Sequence, residues 1–146
     1  MVNPNTISRS RPLTIGDLSA RTGVNIETIR YYEKIGLLPA PARSVGNRRL
    51  YEADHHKRLS FIRRARDLGF PIEQIRTLLD LARSEGLACG EALAVTEHHL
   101  TGIRSRLRDL RRLERVLMQL AASCRAGARD HCPVLEALTI PGRARN

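Results

Sequence analysis

The segment GEALAVTEHHLTGIRSRLRDLRRLERVLMQLAAS, from Gly90 to Ser123, decides the architecture of this chain. It contains two series of aliphatic residues, and within each series the members are seven positions apart. A repeat of this length places one apolar stripe along one side of an α-helix, and charged residues fill most of the other positions. At about 1.5 Å per residue the helix would be roughly 50 Å long. The first series is Leu93, Leu100 and Leu107, and the second is Ile103, Leu110 and Leu117.

An apolar stripe of this length needs a partner surface. No other segment of the chain is long enough to lie antiparallel beside the whole helix. A second copy of the same chain is therefore the favoured partner, and an ordinary intramolecular core is the alternative. An antiparallel pair would bring opposite ends of two chains together. Each end carries a cysteine, with Cys89 just before the helix and Cys124 just after it.

Size and charge narrow the function further. The 146 residues allow one compact domain or two small ones. The formal net charge of +10 and the isoelectric point of about 10.9 favour a polyanion as partner, either nucleic acid or an anionic membrane. No run approaches the ~20 apolar residues of a membrane span, and the N-terminal residues lack a signal-peptide core, so a cytoplasmic protein is expected. Three cysteines in a reducing compartment favour thiolate chemistry or metal binding over structural disulfides.

The more basic half of the chain has the pattern of a helix-turn-helix. Residues 1–70 carry 13 Lys and Arg against 6 Asp and Glu. Thr14 is suited to cap a short helix that ends at Gly23, and Asn25 is suited to cap a second helix from Ile26 to Ile35. The second helix of such a pair reads the major groove of DNA. Its candidate contact residues are Thr28, Arg30 and Tyr31, with Tyr32 expected to lie partly in the core.

Residues 37–51 are predicted to form a short β-hairpin, because Pro39 and Pro41 would interrupt a helix. Gly46 and Asn47 supply its turn, and the arginines on its flanks suit DNA phosphates or the minor groove. A basic helix is expected from Ala53 to Leu68, followed by another from Ile72 to Ala82.

These residues resemble the mercury-resistance regulator (MerR) family. The resemblance is carried by Leu13–Leu18, by Gly23-Val24 and by Thr28–Leu38, of which the segment Arg30-Tyr31-Tyr32-Glu33 is the most specific. Arg43, Arg49, Tyr51 and the stretch Leu59–Phe70 extend the resemblance, which covers the chain from about Leu13 to Leu138. The hairpin turn departs from the family pattern, since Gly46-Asn47-Arg48-Arg49 stands where Asn-Gly-Tyr-Arg or Asn-Gly-His-Arg is common.

The resemblance implies a homodimeric transcription regulator rather than an enzyme. Family members sit on promoters whose −35 and −10 elements are too far apart, and an effector makes them bend and untwist the DNA so that RNA polymerase engages both elements. Arg30 and Tyr31 would form the major-groove pair and Arg43 and Arg49 would anchor the hairpin, while the helix after it would contact the backbone. The complete set of expected DNA-binding residues is Thr28, Arg30, Tyr31, Arg43, Arg48, Arg49, Tyr51, His55 and Arg58.

The cysteines point to the metal-sensing branch of this family. Thiolates prefer soft or borderline ions such as Hg(II), Cd(II), Pb(II), Zn(II) and Cu(I). Cys124 and Cys132 can close a loop around one ion, and Cys89 of the opposite chain would arrive near Cys124 in an antiparallel pair. Copper sensors of the family resemble this loop but carry serine at the position of Cys89, whereas divalent-ion sensors carry cysteine there. The expected ligands are therefore Cys89, Cys124 and Cys132, and the expected effector is Hg, Cd, Pb or Zn.

Several alternatives stay open from the sequence. Cu(I) or Ag(I) is a less favoured effector, and a Cys124–Cys132 disulfide would make the protein a thiol redox sensor. His131, or His98 and His99, would be extra metal ligands or ordinary polar residues. A DNA-binding protein that senses nothing is a further alternative. The expected fold is mainly α, with a winged helix-turn-helix at 13–82, an antiparallel coiled-coil dimerisation helix at 89–123, and a metal-binding loop with a short helix at 124–138.

Overall fold

A computed structural model describes residues 11–84, 88–127 and 132–139, and it is mainly helical as expected. Residues 128–131 of the predicted metal-binding loop, which include His131, lie outside the described residues. The chain forms two compact units, Met1–Val95 and Thr96–Asn146. The elements in order are α1 (Ile15–Thr22), α2 (Ile26–Lys34), β1 (Ala42–Arg43), β2 (Arg49–Leu50), α3 (Ala53–Asp67), α4 (Ile72–Leu81), α5 (Ala88–Arg125) and α6 (Pro133–Thr139).

The first two helices begin and end where their capping residues predict. At α1, the backbone N–H of Asp17 donates to Oγ1 of Thr14 at 3.2 Å, and the Thr14 N–H donates back to the Asp17 carboxylate at 3.0 Å. This reciprocal capping box satisfies two N–H groups that the first helical turn leaves without a partner. Gly23 ends α1 in the left-handed conformation at φ 68°. At α2, Oδ1 of Asn25 accepts the Thr28 N–H at 2.7 Å.

The predicted hairpin consists of two short antiparallel strands. Ala42 pairs with Leu50 and Arg43 pairs with Arg49. Asn47 takes the left-handed conformation at φ 61°, which Asn tolerates better than most residues. The side chain of Arg43 steadies this turn, because its Nη1 donates to Oδ1 of Asn47 at 3.0 Å.

One aliphatic core holds α1 to α4 and the hairpin together. Its completely buried side chains come from α1 to α4 and from the segments on either side of the hairpin, and Val95 near the start of α5 packs against it. The first unit extends into α5 as far as Val95. The largest fully buried side chains are Leu18, Ile29, Leu37, Leu38, Tyr51, Leu59, Ile62 and Ile75.

The long helix α5 exposes the stripe that its sequence predicts. In the single chain, 40 to 64% of the surface of the stripe's leucines is exposed, from Leu100 at the low end to Leu117 at the high end, while Ile103 of the same stripe is half-buried. Among residues 11–84, 88–127 and 132–139, none of the helices has the length and apolar character of a membrane-spanning segment.

Alanine substitutions at Gly23 and Gly36 test whether the hydrogen bond from Arg63 to the end of α1 contributes to stability. Both glycines have positive φ, so an alanine is strained at either site. A Cβ at Gly23 would also lie 1.8 Å from Nη1 of Arg63, the atom that donates to the Thr22 carbonyl at 2.6 Å, whereas a Cβ at Gly36 meets nothing within 4 Å.

We expect Gly23→Ala to lower the free energy of unfolding by about 2–4 kcal/mol and Gly36→Ala by about 1–2 kcal/mol. The difference arises because only the first substitution displaces Arg63. Urea unfolding of both variants measures it. Equal losses would show that the Arg63–Thr22 hydrogen bond contributes nothing to stability.

Candidate DNA interface and metal centre

The helix α2 presents two of the expected DNA-contacting residues to solvent. Arg30 is exposed, and 48% of the surface of Tyr31 is accessible, while Thr28 is half-buried. Tyr32 is 93% buried in the core, as expected, and its ring centroid lies 5.9 Å from that of Tyr31. Because one face of α2 is buried in the core, the direction in which its opposite face points to solvent is set. Arg30 and Tyr31 are free to meet a ligand such as DNA.

Glu33 links the recognition helix α2 to the hairpin. Its carboxylate accepts a hydrogen bond of 2.5 Å from the Tyr51 hydroxyl and one of 3.2 Å from Nε of Arg49. Burial, and then the hydrogen bond to Glu33, raise the pKa of Tyr51 far above its ordinary value, so this hydroxyl stays protonated as the donor. No role was predicted for Glu33 from the sequence, although it lies in the segment that carries the family resemblance.

Tyr51 requires a correction to its expected role. It was expected among the DNA-binding residues, but its side chain is completely buried and its hydroxyl is bonded to Glu33. Tyr51 instead joins the end of the hairpin to α2 through its hydrogen bond to Glu33. Arg49 also bonds to Glu33, and one third of its side chain is exposed. Arg43 and Arg48, in contrast, are exposed at the hairpin surface.

The two residues expected from α3 also make contacts inside the protein. Nδ1 of His55 accepts the Glu52 backbone N–H at 3.1 Å, and its ring stands edge-on to Tyr51. Nε of Arg58 donates to the Leu37 carbonyl at 2.7 Å. Burial and the nearby Arg83 lower the pKa of Arg58 from its ordinary value. These contacts leave both side chains less available to DNA than the sequence suggested.

Two of the three cysteines lie side by side. Cys124 occupies the last turn of α5 and Cys132 immediately precedes α6. Their Sγ atoms are 3.9 Å apart, and both residues are exposed, free thiols. The backbone N–H of Leu135 lowers the pKa of the Cys132 thiol, with smaller contributions from Cys124 and the Val134 N–H. This direction favours the thiolate form of Cys132, which is the form that metals bind.

The sulfur separation can be compared with the geometry of metal sites. With Zn–S bonds of about 2.3 Å, two sulfur ligands lie ~3.8 Å apart in a tetrahedral site, ~4.0 Å in a trigonal one and ~4.6 Å in a linear one. The 3.9 Å between Cys124 and Cys132 fits an angular site that has room for another ligand.

Among the described residues, no third candidate ligand joins this pair within one chain. No group of three or more Cys, His, Asp or Glu side chains able to hold a metal occurs among residues 11–84, 88–127 and 132–139. Cys89 is exposed in the first turn of α5 and belongs to the first compact unit. His98 and His99 lie within α5, in the second unit.

Comparison with known proteins agrees with both halves of the chain. Residues 13–82 match the family model described as MerR HTH family regulatory protein, and residues 56–120 match the model described as MerR, DNA binding. The chain is 37% identical to the HTH-type transcriptional regulator HmrR of Sinorhizobium medicae over 132 residues, which is 90% of each chain. It is 39% identical to the mercuric resistance operon regulatory protein of Serratia marcescens over 127 residues, which is 86% of this chain and 87% of the relative.

A solved structure shares the fold. The transcription regulator PbrR691 from Ralstonia metallidurans, in complex with lead(II), superimposes with a TM-score of 0.74 and 43% identity, covering 86% of this chain and 98% of that one. These relatives are transcription regulators and not enzymes, in agreement with the sequence. Together with the helix-turn-helix, the hairpin and the cysteine pair, they show that this chain belongs to the MerR family, and its relatives place it in the metal-sensing branch.

Proposed function

We propose that the chain is a homodimeric regulator that binds promoter DNA and activates transcription when a soft divalent metal ion binds. The Sγ separation of 3.9 Å between Cys124 and Cys132 carries the sensing part of this proposal. It supports an angular site, in which these two thiolates leave at least one ligand position to be filled. Relatives named for mercury resistance and solved with lead(II) support a soft ion as the effector.

The third ligand in this proposal is Cys89 of the partner subunit. The support is the length of α5, a 38-residue helix with Cys89 in its first turn and Cys124 in its last. Two such helices packed antiparallel along their leucine stripes would bring those opposite ends together. A soft ion held by three thiolates would then bridge the two chains, and its binding would depend on their arrangement. Hg, Cd, Pb and Zn are the candidate ions.

The DNA-binding half supplies the other part of the mechanism. Arg30 and Tyr31 would meet base edges in the major groove, and Arg43 and Arg48 would contact phosphates beside it. Two such units on one dimer would contact two half-sites of a promoter. Distorting ~20–30 base pairs costs of order 1–6 kcal/mol, so the ion activates only if the distorted complex binds it more tightly. In the cytoplasm, RNA polymerase would then engage the realigned promoter.

Two other effectors are compatible with the same residues. Cu(I) or Ag(I) would need only the Cys124–Cys132 pair, although 3.9 Å is short for two sulfurs in linear coordination. An oxidant would act by joining the two thiols in a disulfide, without any ion. Both alternatives leave Cys89 without a role in sensing, and that difference allows a test.

We expect Cys89→Ser to abolish the response to Hg, Cd, Pb or Zn salts and to weaken binding of the inducing ion at least ~10–100-fold, since a direct ligand matters no less than its supporting shell. The measurement is transcription from the protein's own promoter across Hg, Cd, Pb, Zn, Cu and Ag salts. Ser84→Ala, a hydroxyl change in the segment before α5, is the matched control. An unchanged response of Cys89→Ser to the ion that induces the wild type would exclude Cys89 as a ligand.

A further inference from the structure

The recognition helix α2 is held at its C-terminal end by a turn that is fixed in the core. The Leu37 N–H donates to the Tyr32 carbonyl at 2.9 Å, across Gly36 at φ 70°. This is the Schellman arrangement, in which the chain turns back on the last helical residues. Leu37 and Leu38 are completely buried after it. The carbonyl groups of the turn itself need donors from elsewhere.

Two arginines from other helices supply those donors. Nε of Arg58, on α3, donates to the Leu37 carbonyl at 2.7 Å. On α4, Nη2 of Arg76 donates to the Ile35 carbonyl at 3.0 Å, and its Nη1 lies 3.5 Å from the Gly36 carbonyl. These partners are 21 to 41 residues apart in the sequence. The three consecutive carbonyls just after α2, those of Ile35, Gly36 and Leu37, thus accept hydrogen bonds from arginines on two different helices.

The hydrogen bonds to the turn show that the two arginines do more than cover a solvated surface. Burial lowers the pKa of Arg58, and the positive charges of Arg83 and Arg76 lower it further, with Asp80 opposing them. Bringing like charges together is unfavourable unless they have acceptors. The carbonyls of the turn and the negative end of the α2 dipole provide those acceptors. The arrangement favours one fixed geometry of α2 relative to α3 and α4.

We propose that Arg58 and Arg76 are positioning residues for DNA recognition. They fix the angle at which α2 presents Arg30 and Tyr31, and so determine sequence specificity without contacting DNA. Base-edge contacts are sensitive to such angles, because a functional group must be held within about 0.5 Å and 10–20° of its working geometry. This inference rests on the proposed DNA-binding function. It assigns Arg58 a role different from the backbone contact expected from the sequence.

The test uses the full chain and a DNA duplex that the wild-type protein selects from a random library. Binding to that duplex and to a scrambled duplex is measured over a series of salt concentrations for Arg76→Gln and Arg58→Gln. Arg83→Gln is the matched control, because it also removes one positive charge, from an exposed side chain just after the end of α4. Arg76→Lys keeps the charge and a donor. Circular dichroism and thermal unfolding report on the fold of each variant.

We expect Arg76→Gln and Arg58→Gln to bind the selected duplex about tenfold more weakly, a fraction of the discrimination carried by good base contacts. Binding to the scrambled duplex and the salt dependence should match those of Arg83→Gln. Arg76→Lys should recover part of the affinity, and repeating the selection with Arg76→Gln should give a less defined sequence.

Three results would overturn the positioning role. One is an equal loss on both duplexes with a salt slope reduced by about 0.9, which marks a direct phosphate contact. Another is a loss of affinity that is proportional to the loss of thermal stability across the variants, so that a variant with wild-type stability also has wild-type affinity. The third is affinity for the selected duplex equal to that of Arg83→Gln. If the wild-type chain selects no duplex at all, the DNA-binding function itself is overturned.

Discussion

Replacing Cys132 by serine is expected to abolish the transcriptional response to every soft metal ion while leaving the metal-free protein bound to its promoter. Cys132 and Cys124 are the only two thiols that the described structure brings together within one chain, with 3.9 Å between their sulfur atoms. A serine hydroxyl is a hard ligand that stays protonated at neutral pH, so it cannot replace the thiolate at a soft ion. Both the trigonal and the linear site require this ligand.

The loss should appear in ion binding as well as in transcription. We expect the affinity of the inducing ion to fall more than ~100-fold, since altering even the shell around metal ligands costs 10–100-fold. Isothermal titration under anaerobic conditions measures the affinity. Ser123→Ala is the matched control, because it changes the residue beside Cys124 and removes only a hydroxyl bonded to the Gln119 carbonyl. The proposed DNA-binding residues lie in the other compact unit, so DNA binding without metal should stay within about twofold of wild type.

Ion sensing and redox sensing are separated by the stimulus that activates the wild-type protein, since Cys132→Ser would abolish both. A redox sensor also needs Cys132, but it would respond to an oxidant with no ion present and would lose two free thiols on activation. An ion sensor would respond under anaerobic conditions with its thiols still reduced. Metal-dependent transcription in Cys132→Ser would contradict both mechanisms and would place the sensing site elsewhere in the chain.

The helices were predictable because their signals are local in sequence. Thr14 and Asn25 cap α1 and α2 within three residues of the groups they bind, and Gly23 ends α1 one position after its last residue. Such contacts form whenever the local backbone forms, whatever the rest of the chain does. The heptad pattern of α5 is a signal of the same kind, extended over many turns.

The roles of the charged residues were not predictable from such signals. An arginine on a basic helix looks the same in sequence whether it contacts DNA or a carbonyl 21 residues away, as Arg58 does. Tyr51 was misplaced for the same reason, because its partner Glu33 lies 18 residues earlier and on another element. The cysteine pair was predictable in part. Its spacing of eight residues suggested a loop, but only the fold defines the separation of the sulfur atoms.

Replacing Leu110 by lysine is expected to convert the proposed dimer into monomers. Leu110 lies in the middle of the α5 stripe, and 60% of its surface is exposed in the single chain. Complete burial of an exposed leucine is worth about 1.5–3 kcal/mol, so burying the exposed 60% of Leu110 is worth ~1–2 kcal/mol per subunit and ~2–4 kcal/mol per symmetric dimer. The dissociation constant of the dimer should therefore rise by ~30–10³-fold, before the cost of burying two ammonium groups is added.

Gln119→Lys provides the matched control for this charge. At 3.6 residues per turn, the nine residues between the two positions place Gln119 on the opposite side of α5, about 180° away. It is exposed there, and a lysine should leave the dimer intact. Sedimentation equilibrium measures the mass of each variant. The core of the DNA-binding unit lies in residues up to Val95, so the helical content of both variants should remain close to that of the wild type.

Leu110→Lys also links dimerisation to metal sensing. A monomer keeps Cys124 and Cys132 but has no partner subunit to contribute Cys89, so a three-thiolate site cannot form. The variant should therefore lose high-affinity binding of divalent ions although every cysteine is still present. A monomeric Leu110→Lys that binds the inducing ion as tightly as the wild type would show that one chain holds the complete site. A variant that remains dimeric at the same concentration would show instead that the stripe on α5 packs against something other than a second copy.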